Sequence, residues 1–292
     1  MSSRPDGLRM AVAQPRARET EDERVKVDDA VATILEAGRR GVELLAFPEA
    51  YPGPIRAGLG HDATPAMAAA AAEAVCAVCW SRIERGDDGF YRTVAYVHDR
   101  DGTLAYRYER SHPATGDVHP VLSGVPMAPG AELAVFDLRG LRIGILICSE
   151  LWIPEIARSL AVRGAEVLLA PAGGAFHRVA PNWQLIARAR AIENQCHLGL
   201  TQSLFGNERG SALIAGPEAV LAASEEPGLV DADADLERAR WLRSVDDSMR
   251  EPKPFDSLPG LIRARRPDLY RVLAEPREGL YDYEAAARSG AG

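Results

Sequence analysis

With 292 residues, 47% of them hydrophobic and 26% charged, the chain holds enough apolar material for a sizeable core. A formal net charge of -8 and a pI near 5.4 exclude a surface built for nucleic acid or an anionic membrane, since both reward clustered Lys and Arg. Small molecules or proteins remain as partners. The opening residues carry no apolar stretch of a secretory signal. The longest apolar run, Met67 to Trp80, contains Glu73 and is shorter than the roughly 20 residues of a spanning helix, so a cytoplasmic location is expected.

In chain order, Leu8-Arg-Met-Ala-Val-Ala13 reads as a buried strand and Glu21 to Arg40 as an amphipathic helix ending at Gly41. Val42 to Phe47 reads as a second strand, and a strand–helix–strand unit of this length implies parallel pairing. Pro65 to Ala74 suits a helix and Val75 to Ile83 a buried strand. Tyr91 to His98 and Thr103 to Tyr108 form a hairpin through Asp99-Arg-Asp-Gly102. Residues 109 to 133, rich in Pro, Gly and His, form a long loop of the kind that usually carries function. Strands follow at Leu133 to Leu138 and Leu141 to Ile147, then a helix from Pro154 to Arg163 and a buried strand at Val167 to Ala170. A helix from Asn182 to Asn194 and strands near His197 to Leu200, Gly210 to Ala215 and Ala219 to Ala223 come next. The remainder reads as irregular, with a tail from about residue 245. Without a linker or repeat, one domain spanning 1–292 is expected.

The four cysteines, Cys76, Cys79, Cys148 and Cys196, are too few for a disulfide scaffold. Cys76 and Cys79 form a CxxC inside an apolar run, with no second pair to complete a metal set, so no metal is expected. Glu49 and Cys148 stand apart because each follows a buried strand, at the edge where open α/β sheets hold ligands. A carboxylate in an apolar cleft suits the work of a base, and a thiol needs such a base to become a nucleophile.

Phe47-Pro-Glu49, Ile147-Cys-Ser-Glu150 and Ile153-Pro-Glu-Ile-Ala-Arg158 together resemble the nitrilase superfamily of carbon–nitrogen hydrolases. Further matches are Pro171-Ala172, Trp183 with Arg188-Ala-Arg-Ala-Ile-Glu-Asn194, Gly210-Ser211 with Gly216-Pro217, and Leu229-Val-Asp-Ala-Asp233. The resemblance implies a four-layer αββα sandwich, usually dimeric, so a homodimer or higher homo-oligomer is expected. It also implies a Glu-Lys-Cys triad with Glu49 as general base, Cys148 as nucleophile and the Ser149 N–H in an oxyanion site.

The family lysine position falls in Tyr108-Glu-Arg-Ser-His112 and is occupied by Arg110, with Glu109 where the family has arginine. Of 34 basic residues only Lys26 and Lys253 are lysines, and neither is expected at the cleft. An arginine stays charged, so it can stabilise an oxyanion but does not readily pass a proton. By the same resemblance Asp117 is the nearest match to a second family glutamate. His112 and His119 share its loop as candidate substrate contacts, Glu150 supports the geometry, and His177 and Trp183 line the pocket. Arg92 stands where the family has asparagine. The implied activity is hydrolysis of an amide, N-carbamoyl or nitrile carbon through a thioester, with no cofactor. A catalytically silent binding protein and an acyltransferase using the same thioester are the alternatives.

Overall fold

The computed structural model describes residues 5–17, 22–54, 61–114, 125–174, 178–245 and 260–289. Two six-stranded mixed sheets lie face to face, with helices on their outer sides, which is the αββα sandwich expected. The first sheet has the order β12-β1-β2-β3-β4-β5, from β1 (Gly7–Gln14), β2 (Leu44–Ala46), β3 (Ala77–Arg85), β4 (Tyr91–His98), β5 (Leu104–Glu109) and β12 (Gly228–Asp235). The second has the order β11-β10-β9-β8-β7-β6, from β6 (Val135–Leu138), β7 (Leu141–Ile145), β8 (Val167–Ala172), β9 (His197–Gln202), β10 (Ala212–Ala215) and β11 (Val220–Ser224). The centre of each is parallel, β1-β2-β3 and β7-β8-β9, as strand–helix–strand units require.

Side-chain alternation builds the layers. Along β1, Met10 and Val12 point into the core between the sheets, while Ala11 and Ala13 meet the outer helices α1 (Arg24–Arg39) and α2 (Thr64–Ala74). The same alternation separates the CxxC: Cys79 faces the inter-sheet core and Cys76 the helix side, so the two thiols are on opposite faces. Helices α3 (Pro154–Val162) and α4 (Ala180–Asn194) cover the second sheet through Ile156, Leu160, Trp183 and Ala187. The sheets approach closely where Gly199 of β9 crosses β1. A Cβ there would stand 2.9 Å from Val12 Cγ1 and 3.0 Å from Met10 Cε, so a larger residue would wedge the layers apart. Buried polar groups also fasten the sheets: Gln14 Oε1 accepts from the Ala212 N–H at 2.9 Å, and Thr201 Oγ1 donates to the Ala13 carbonyl.

Two expectations need correction. The chain after 224 is not irregular throughout: β12 pairs antiparallel with β1 from Gly7↔Asp235 to Gln14↔Gly228, and α5 (Leu236–Ser244) follows, capped by the Asp235 carboxylate accepting from the Arg238 N–H. A short helix, α6 (Tyr283–Ser289), lies near the C-terminus. The strand before Cys148 also ends early, at Ile145, leaving Leu146 and Ile147 as a connector into a short 3-10 helix, Cys148–Trp152. No helix of the described residues is long and apolar enough to cross a membrane.

Candidate active site

Glu49 lies three residues beyond β2 and Cys148 three residues beyond β7, both at the carboxyl edges of central parallel strands. Facing sheets bring these edges together, and the Glu49 N–H reaches the Ala172 carbonyl at the end of β8, 3.3 Å away across the gap. Cys148 takes a left-handed backbone, φ +54°, a costly conformation for a side chain with a Cβ. That turn swings the thiol from the strand line into a cavity of about 470 Å³. Burial, then the negative charge of Glu49, push the thiol up to about 12, opposed by the charge of Arg110 and a hydrogen bond from the Gly173 N–H. At neutral pH the sulfur therefore rests as a thiol beside the Glu49 carboxylate.

Arg110 follows β5 directly and is 2% exposed. Its backbone is pinned on both sides, the N–H donating to Thr93 O at 2.9 Å and the carbonyl accepting from Gly130 N at 2.8 Å. The guanidinium forks: Nη1 donates to Glu49 Oε1 at 2.7 Å and Nη2 to Ser149 Oγ at 2.6 Å. It thus touches both Glu49 and the residue after Cys148. Lys26, by contrast, is on α1 with its Nζ 3.5 Å from Glu23.

Glu150 is fully buried and accepts from donors on two sides of the cleft. Oε1 takes the Tyr108 hydroxyl, the Ser111 N–H and hydroxyl, and the His112 N–H, at 2.6–2.9 Å, while Oε2 takes the Ile147 N–H at 2.7 Å. Each hydrogen bond to a charged group is worth on the order of 1.5–3 kcal/mol, so this carboxylate ties the end of β5 to the cysteine turn. His112 enters through its main chain: its N–H serves Glu150, its carbonyl accepts from Ser149 Oγ at 3.4 Å, and its ring stands edge-on to Tyr283.

Trp183 is 2% exposed yet lines the cavity, packed edge-to-face on Trp152. Sequence reasoning missed Ile83, Thr93, Met127, Trp152, Gly173 and Val179, which complete much of the lining. The Gly-Gly pair after β8 was the available signal for Gly173. A Cβ there would stand 2.9 Å from Glu49 Oε2, so glycine leaves room for the carboxylate. Arg92 is not in the lining: it pairs with Asp88 at 2.5 Å and with Glu109 at 3.2 Å. Asp117, His119 and His177 lie outside the described residues.

Residues 9–244 match the carbon–nitrogen hydrolase family. The chain belongs to that family. Among its relatives are omega-amidase NIT2 of Bos taurus, 26% identical over 267 residues covering 84% of this chain and 91% of the relative, and omega-amidase NIT2-B of Xenopus laevis, 28% identical over 268 residues with the same coverage. A solved carbon–nitrogen hydrolase from Helicobacter pylori G27 superposes with a TM-score of 0.75 at 20% identity, covering 93% of this chain and 99% of that one. A mutant amidase from Nesterenkonia sp. AN1 in complex with butyramide gives 0.71 at 20% identity, covering 91% and 96%. Another mutant of that amidase, at 0.71 and 20% with 91% and 97% covered, shows covalent addition of the acetamide moiety of fluoroacetamide at the active site cysteine. This carbon–nitrogen hydrolase family member thus has the nitrilase-type fold.

Proposed function

We propose that the protein is an amidase that cleaves a non-peptide carbon–nitrogen bond through a thioester on Cys148. The observation that carries this reading is the meeting of Glu49, Arg110 and Cys148 in one cavity, with Glu49 held by Arg110 at 2.7 Å and the thiol beside both charges. Glu49 takes the thiol proton as sulfur attacks the amide carbon, and the Ser149 N–H and Arg110 stabilise the oxyanion. Protonated Glu49 then gives its proton to the departing nitrogen, the carbon–nitrogen bond breaks and ammonia leaves. Water, deprotonated by Glu49, attacks the thioester, and the proton returns to sulfur as the carboxylic acid is released. Arg110 takes part as a fixed cation and passes no proton.

Ile83, Met127, Trp152, Val179 and Trp183 give the cavity an apolar wall, which favours an acyl group of apolar character. The names of the omega-amidase relatives also favour an amide over a nitrile. The test is ammonia release from butyramide, with the acyl group trapped on the Cys148 peptide by acid quench and mass mapping. Turnover with the adduct supports the reading. Neither ammonia nor adduct across a panel of neutral amides leaves a catalytically silent binding protein, and an amide product formed in the presence of added amine makes it an acyltransferase. A homodimer or higher homo-oligomer belongs to the same proposal, favoured by Leu185 and Ile192 lying 67% and 40% exposed on the outer helix α4. Light scattering at micromolar concentration should give a multiple of 31.5 kDa, and the monomer mass would dismiss it.

A further inference from the structure

Arginine and lysine make different demands on their surroundings. An ammonium is a compact point charge, whereas a guanidinium is a planar fork of five donors that must find acceptors in fixed directions. At Arg110 the main chain is fixed by bonds to its N–H and its carbonyl, and the side chain is buried. One prong meets Glu49 at 2.7 Å, on the first sheet, and the other meets Ser149 Oγ at 2.6 Å, on the turn that follows the second. The serine hydroxyl is itself oriented, since it donates onward to the His112 carbonyl at 3.4 Å and so turns a lone pair toward the guanidinium.

We propose that the Ser149 hydroxyl is a positioning residue matched to Arg110, holding the guanidinium so that it spans the base and the turn that carries the nucleophile. The inference rests on the amidase reading for its effect on turnover. Its geometric content is separate: the serine oxygen matters because the cation is an arginine, and it would matter little beside a lysine. Removing the oxygen takes this acceptor from Nη2 and loosens the guanidinium's tie to the cysteine turn. Its charge then stands differently relative to the sulfur, whose acidity it assists.

The experiment is a double-mutant cycle on the full chain: wild type, Ser149→Ala, Arg110→Lys and the double variant, with Ser149→Thr as the conservative control. Two readouts are taken, kcat and KM on butyramide, and the pH profile of Cys148 alkylation by iodoacetamide, which needs no substrate. With arginine present, Ser149→Ala should lower kcat about tenfold with KM changed less than about twofold, as loss of a hydrogen bond to a charged group implies. It should also move the alkylation midpoint upward, and Ser149→Thr should restore most of both. With Arg110→Lys, Ser149→Ala should change either readout by less than about twofold. An equal effect in both backgrounds, or none beside arginine, overturns the proposal. If Arg110→Lys does not fold, the comparison of Ser149→Ala with Ser149→Thr decides: a threonine no better than alanine overturns it. If the wild type hydrolyses no amide but the alkylation profiles still couple, the amidase reading fails and this one stands.

Discussion

Replacing Cys148 with alanine should lower amide turnover by at least about ten-thousand-fold while leaving the fold intact. Loss of the nucleophile removes the bond-forming atom, and groups that work as a unit lose nearly all their rate together. Stability should change little, because the left-handed backbone at φ +54° is as costly for alanine as for cysteine and the sulfur faces a cavity. The measurement is kcat on a confirmed amide beside the thermal midpoint, which should move by no more than a few degrees. Residual turnover within tenfold of wild type would remove the thioester from the mechanism.

The second large effect concerns Glu49, where two reactions of the same sulfur should part. Glu49→Gln should lower amide hydrolysis about a thousandfold, since proton transfer to the leaving nitrogen and activation of water both need the carboxyl group. Alkylation of Cys148 by iodoacetamide should persist, because iodide leaves without a proton. The sign follows from the charges around the thiol. Burial and the Glu49 charge raise it to about 12 while Arg110 lowers it, so removing the carboxylate moves the alkylation midpoint to lower pH. Peptide mass mapping across pH reads this directly, with Cys79 and Cys196, both fully buried in the core, as internal references. A midpoint that moves upward in Glu49→Gln would falsify this assignment of charges, and unchanged hydrolysis would remove Glu49 as the base.

Much of the site was legible in the sequence because strand ends are legible. The apolar runs before Glu49 and Cys148 and the strand–helix–strand spacing placed both residues at the same edge of their sheets. The contact between those edges came only from the family resemblance, since nothing local says that two sheets will face each other. β12 was missed for a different reason. Its inward positions are Val230, Ala232 and Ala234, alternating with Asp231, Asp233 and Asp235, and alanine and aspartate are poor strand formers. The strand exists because its neighbour supplies partners: Arg9 reaches Asp231 at 2.6 Å and Asp233 at 3.1 Å. Arg110 was found by position, but its fork onto Ser149 was not, because a guanidinium's second acceptor comes from a residue 39 positions away.

The origin of the site in both sheets bears on when the protein becomes reactive. Glu49 and Arg110 come from one sheet, and Cys148 and Gly173 from the edge of the other. Neither layer alone holds the Glu49 carboxylate, the Arg110 guanidinium and the Cys148 thiol within reach of one another. A nascent chain that has completed one layer therefore lacks the arrangement of Glu49, Arg110 and Cys148, which arises in the same event that closes the core. Enzymatic rate in this protein doubles as a gauge of inter-sheet docking, and a substitution that loosens Gly199 against Val12 would be felt first as lost chemistry, before any loss of secondary structure.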